Sequence, residues 1–172
     1  VYLLMEKIKR DDNRVDIANL KTTDTSGDEL TGGYVFQIDR DDTSLVSDGW
    51  YSPYGSNPFY AFHSPKHDQL VTVQKDYIEN WMTDFEFAMT QPSFDSTYDN
   101  YIDIASFVDY FLINELTKHI DAFKLSFYMY KRKNSNGGKL HMGPIWDFNL
   151  AFGNFDFGCN PDPNGWIYSC TS

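Results

Sequence analysis

Two aspartates and a hydroxyl carry the chemical interest of this chain. Asp121 is followed five positions later by Ser126, and Asp147 stands between Trp146 and Phe148 in the run Gly143-Pro144-Ile145-Trp146-Asp147-Phe148-Asn149. A carboxylate set among large apolar groups needs a strong partner. Left buried and unpaired it is costly, whereas a hard cation or a basic side chain offsets the desolvation. Oxygen donors of this kind suit a divalent ion and the phosphates that such ions accompany. A plainer role is open to the same residues: Asp121 can cap a turn, and Asp147 can accept backbone hydrogen bonds, as acids at strand ends do.

A hairpin is the element that must bring them together. Ser126 to Lys131 reads as a strand, Asn134-Ser135-Asn136-Gly137-Gly138 as a turn, and Lys139 to Ile145 as the return. With the turn centred near Asn136, paired positions sum to about 272, which sets Ser126 opposite Trp146 and Leu125 opposite Asp147. Asp121 follows a long helix and enters at the same open end. Protein kinases use such an arrangement: an acid orients the acceptor hydroxyl, an oxygen ligand five residues later holds a metal, and an acid beyond the next hairpin holds the metals on the phosphates. The tripeptide Asp156-Phe157-Gly158 matches the kinase motif as text, but no strand leads into it, and it reads as coincidence.

The rest of the chain supplies the frame. Tyr2 to Lys9 reads as a strand with Lys7 and Lys9 on the face opposite Ile8, followed by a polar segment and a short helix or turn to Leu20. Lys21 to Leu30 reads as a loop, Gly32-Gly33 opens a strand from Tyr34 to Asp39, Asp41 to Pro58 is loop-like, and Phe59 to His63 is a further strand. Ile78, Trp81, Met82, Phe85, Ala88 and Met89 recur at helical spacing before Pro92. A second helix runs from about Tyr101 to Lys118, with Ile104, Phe107, Val108, Phe111, Leu112 and Leu116 expected on its inner face. The tail from Gly153 to Gly165 looks irregular. Strands first and helices later give an α+β class, with a small β-rich lobe and a helical lobe.

Composition narrows the function classes. The 172 residues suit one domain and a real core, with 17% aromatics. A net charge of −11 argues against a nucleic-acid binder, yet allows a nucleotide site where divalent ions mask local acids. No stretch is long and apolar enough to cross a bilayer. With no starting Met and a strand already in course, the chain reads as a piece of a longer protein, partial at both ends. Cys159 and Cys170 fit either a disulfide or two free thiols. His63, His67, His119 and His141 lack metal-ligand spacing and read as surface or hydrogen-bonded. Glu6 and Glu115 are open to orienting a base or to a structural salt bridge, and the acids around Asp11 and from Asp24 to Asp28 show no calcium-loop pattern.

The run from Gly143 through Asn154 resembles the signature of the CotH family, proteins with an atypical kinase fold. Asp103 to Tyr110, Asn114-Glu115-Leu116 and Asp121 resemble that family's helix and catalytic acid, and Tyr2 to Glu6 with Gly32 to Phe36 resemble its first strands. The likeness spans nearly the whole chain and is closest to secreted or surface members from gut bacteria. It implies one kinase-like domain, with residues 1–73 as a β-rich portion and 74–172 as a helical portion with the catalytic hairpin. Asp121 would be the catalytic acid. Asp147, Ser126 and Asn149 would hold Mg2+ or Mn2+, and Gln37, Glu6 and Lys7 would face the nucleotide. The implied reaction moves the γ-phosphate of ATP to Ser or Thr of an extracytoplasmic protein, with any lipid anchor outside this chain. Three positions depart from the family: Ser126 stands for Asn, Asn149 for a second Asp, and Gln37 for Lys, which removes a positive charge from the phosphate side. The competing expectation is a cell-surface module that keeps the fold without the chemistry, contacting protein or glycan through exposed Trp50, Tyr51 and Trp166.

Overall fold

The computed structural model describes residues 6–39, 48–156 and 164–169. Its elements are α1 (Gly27–Leu30), β1 (Tyr34–Ile38), β2 (Gly49–Tyr51), β3 (Phe59–Ser64), α2 (Thr72–Met89), α3 (Ile104–Thr117), β4 (Phe127–Lys131) and β5 (Leu140–Met142). The five strands form one antiparallel sheet in the order β2-β3-β1-β4-β5. The chain is therefore α+β, and the β4–β5 hairpin is part of the same sheet as the earlier strands.

β1 sits at the centre because both its faces are apolar. Tyr34, Phe36 and Ile38 point to one side, where Trp50, Tyr60, Phe127, Met129 and the α2 residues Ile78, Met82 and Phe85 complete the main core. Each such fully buried side chain contributes about 1.5–3 kcal/mol by leaving water. Val35 points to the other side and joins Ile8, Val15, Ile17 and Tyr128, with Tyr130 and Trp146 packed on the edge. Gly32 precedes the strand because a side chain there would meet the Lys133 backbone nitrogen at 2.1 Å. The turn of the hairpin thus presses directly on the entry to β1.

Several expectations change here. Residues 1–5 lie outside the described residues, and Glu6 to Lys9 form no strand: the Ile8 carbonyl accepts from His63 Nε2 at 3.0 Å instead of from a strand neighbour. The expected loop before Phe59 contains β2, whose Trp50 is buried and stacks on Tyr60 with ring centres 5.1 Å apart. Trp50 is therefore core and not an exposed contact residue.

The hairpin register also differs. Met129 faces Met142, where the expected pairing would have set it against Gly143, and Lys131 faces Leu140. The ladder ends at Met142, since Pro144 has no N–H to carry it on. Its last bond is Gly143 N–H to the Tyr128 carbonyl at 2.9 Å. Ser126 and Leu125 are consequently not ladder partners of Trp146 and Asp147.

The helix faces divide in the same way. α2 buries Ile78, Met82 and Phe85 as its period implies, while Met89 is exposed. α3 is turned over. Ile104, Val108, Leu112 and Leu116 are exposed, and the buried side carries Tyr110, Asn114, Glu115 and Thr117. The hydroxyl of Tyr110 donates to the Ala122 carbonyl at 2.7 Å, and Asn114 Nδ2 donates to the Tyr110 carbonyl at 2.7 Å. The Ala122 carbonyl in the turn after the helix is bonded by the Tyr110 hydroxyl, so that side of α3 goes inward and the apolar stripe does not decide.

Candidate phosphotransfer site

α3 is closed at its start by Asp103, whose carboxylate accepts the Ser106 N–H at 2.9 Å, and at its end by Lys118 in the left-handed region. That reversal throws His119 inward and begins the turn containing Asp121. The Asp121 carbonyl accepts from both Lys124 N and Leu125 N at 2.9 Å, so the turn is tight. Asp121 itself is half-buried, and its carboxylate has no cationic partner among the described residues. Ser126, half-buried with φ of 56°, makes the bend into β4.

Asp147 comes to this turn by a different route from the expected ladder. His119 is buried to 1% exposure, and its Nε2 lies 2.9 Å from the Asp147 carbonyl, 28 residues away in sequence. Because a carbonyl only accepts, the ring carries its proton on Nε2. The same ring lies on Phe148 with centres 4.5 Å apart. A second tie follows, from Phe152 N–H to the Thr117 carbonyl at 2.6 Å. The segment from Asp147 to Phe152 is thus held at two points against the end of α3. His119 is the residue of this site that spacing to a metal failed to reveal; the available signal was its place two residues before Asp121, as in the H-x-D of kinase catalytic loops.

Within this clamp Asp147 is exposed and in the left-handed region, with φ of 58°. With its amide turned to satisfy both neighbours, Asn149 donates to Asp147 Oδ1 at 2.8 Å and to the Asp147 carbonyl at 2.9 Å. Asn149 therefore braces the acid. No hydrogen bond or ion pair joins Asp121, Ser126 and Asp147 to one another among the described residues, and no three His, Cys, Asp or Glu side chains there gather as a metal site.

Gln37 stands on β1 opposite Tyr128, half-buried on the face that packs against Trp146. Tyr128 meets Trp146 edge-on at 6.1 Å. Burial pushes the Tyr128 phenol up to about 12, and the carboxylates of Asp39 and Asp147 push in the same direction. Tyr128, the cross-strand partner of Gln37, thus feels acids from the end of β1 and from the clamped segment. Glu6 is exposed and ion-paired with Arg14, and Lys7 is exposed and precedes Ile8, which is buried on this same face. Neither makes an ion pair with Asp147 among the described residues.

The remaining candidates take structural parts. Glu115 accepts the N–H groups of Ile167 at 2.7 Å and Tyr168 at 2.8 Å, and so pins the tail segment to α3. His141 stacks on Tyr130 at 4.7 Å, with Asp103 3.6 Å from its Nδ1. Asp11 accepts from Asn13 N–H, Asp24 from Lys21 N–H, and Asp28 from the Ser135 backbone and hydroxyl. Tyr51 and Trp166 are exposed. Cys159, Cys170 and the Phe157-Gly158 pair lie outside the described residues.

A family profile described as CotH kinase protein matches residues 1–165 of the chain. No curated protein matches it, and no solved structure does.

Proposed function

The chain belongs to the CotH kinase family, and on that premise we propose that it transfers the γ-phosphate of ATP to a Ser or Thr hydroxyl of an extracytoplasmic protein. The observation that carries the reading is the His119 clamp, which joins the Asp121 turn to the Asp147 segment through a tilted ring contact and a hydrogen bond. Phosphoryl transfer asks mainly for positioning and charge neutralisation, and a clamp of this kind positions.

The donor set fits a hard divalent cation. Asp147 offers an exposed carboxylate with no cationic partner among the described residues, and Ser126 offers a hydroxyl. Magnesium takes one or two protein carboxylates together with phosphate and water oxygens, so a three-acid cage is not required. Bound there, Mg2+ or Mn2+ would supply neutralisation of phosphate charge. Asp121 aligns the acceptor hydroxyl and accepts its proton, Asn149 and His119 keep Asp147 in place, and Gln37 donates a neutral hydrogen bond on the phosphate side. Among the described residues no helix is long and apolar enough to cross a membrane.

The second reading, a surface module binding protein or glycan without transfer, draws on Gln37 in place of a cation and on exposed Tyr51 and Trp166. Thermal unfolding with ATP and magnesium separates the two. Ligand at about a hundred times its Kd adds about 2.7 kcal/mol by mass action. The shift should vanish in Asp147→Ala, and phosphate incorporation into casein should vanish in Asp121→Ala. An intact chain that shows no shift has no nucleotide site.

A further inference from the structure

A cleft of about 360 Å³ opens between α3 and the segment that leaves β5, at the small end of the range for binding clefts, which starts at about 300 Å³. Tyr110 and Ile113 form one wall, and Met142, Pro144 and Ile145 form the other. Ser106 ties the walls together, because its hydroxyl donates to the Asp103 carbonyl at 2.9 Å and accepts from Met142 N–H at 3.2 Å. The cleft is therefore held open by the fold itself. Ile145 stands on its lip, 50% exposed. Asp109 is the one charged residue of the lining, exposed and without an ion-pair partner among the described residues.

Both walls run directly into the candidate site. Ile145 is two residues before Asp147, and the Tyr110 hydroxyl holds the carbonyl of Ala122, the neighbour of Asp121. Whatever fills the cleft rests on the two segments that lead to the acids. The occupant must offer an apolar group for the walls and a positive charge for Asp109, on a chain whose net charge of −11 already favours basic partners.

We infer that this cleft seats the protein acceptor, taking an apolar side chain flanked by Lys or Arg, and so selects which hydroxyl reaches Asp121. The identity of the occupant rests on the phosphotransfer reading; the cleft and its charge do not.

The test is fluorescence anisotropy on the intact chain, without nucleotide. The probes are labelled nonapeptides that carry one Ser and either a Leu-Lys or a Leu-Gln pair. The Leu-Lys peptide should bind the tighter, with a preference that fades as salt rises. Asp109→Asn should weaken it about five-fold, the scale of one exposed ion pair, and bring it level with the Leu-Gln peptide. Ile145→Asp, at an exposed position, should remove binding of both, with circular dichroism read alongside to show that the fold is kept. Absence of binding, or binding indifferent to both substitutions, overturns the inference. Peptides that bind in this pattern but receive no phosphate would refute the phosphotransfer reading and leave the cleft standing. Transfer that ignores Asp109 and Ile145 would refute the cleft alone.

Discussion

Lys131 is fully buried on β4, with its ammonium 3.0 Å from the Thr31 carbonyl, 3.1 Å from the Arg132 carbonyl and 4.8 Å from the centre of the Trp81 ring. No carboxylate touches it, so desolvation prevails and its pKa falls from 10.5 to about 8, against a smaller opposing pull from Asp28. The native state then holds this proton less tightly than the unfolded chain does. Unfolding takes up a proton between pH 8 and 10.5, and stability rises with pH through that window. The penalty at pH 7 is about 3 kcal/mol, and about 2 kcal/mol of it is relieved between pH 8 and pH 10. Tyr34, Tyr60, Tyr110 and Tyr128, held protonated by burial, act in the opposite sense above about pH 10. The measurement is therefore a difference. Urea unfolding of the wild type and of Lys131→Met at pH 8, 9 and 10 should show wild type gaining about 2 kcal/mol on the variant. Parallel stability curves would refute the account of a charged lysine in a dry site.

Further outcomes follow from the same contacts. Titration of [13Cζ]-tyrosine by NMR should find the Tyr128 phenol near 12, and Asp147→Asn should lower it while burial keeps it above the usual value; an unchanged titration would separate Asp147 from Tyr128. His119→Ala removes a buried ring, its tilted contact with Phe148 and its bond to Asp147, and should cost about 2–4 kcal/mol in urea. His119→Gln should keep most of the fold and still lose the ATP-dependent thermal shift. Glu115→Gln should raise hydrogen exchange at the Ile167 and Tyr168 amides at least several-fold, since a neutral amide accepts more weakly than a carboxylate.

The sequence and the structure agree where local signals are strong. The strand opened by Gly32-Gly33 from Tyr34 to Ile38, the Gly-rich turn and the apolar period of α2 all lead to the elements observed. Agreement fails where two faces compete. α3 carries apolar residues on more than one side, and the buried face was decided by which side could bond the Ala122 carbonyl, a partner outside the helix. β2 is only three residues long and owes its place to Trp50 stacking across strands, which no local pattern records. The approach of Asp147 to the Asp121 turn was expected for the wrong reason. Strand register was projected past a proline, while the observed link is a histidine to a backbone carbonyl, an acceptor that every residue has.

The pairing of β1 with β4 has a bearing on how the chain comes to be folded at all. Tyr34 faces Lys131, and Lys131 reaches Thr31 across 100 positions of sequence. The central strand is thus made early and finished late. A nascent chain that has emerged only as far as Ser126 displays β1 with one side bare, in an apolar segment suited to pairing with a stranger. Such long-range closure is slow, so the interval between synthesis of β1 and arrival of the hairpin is when this protein is most exposed to aggregation.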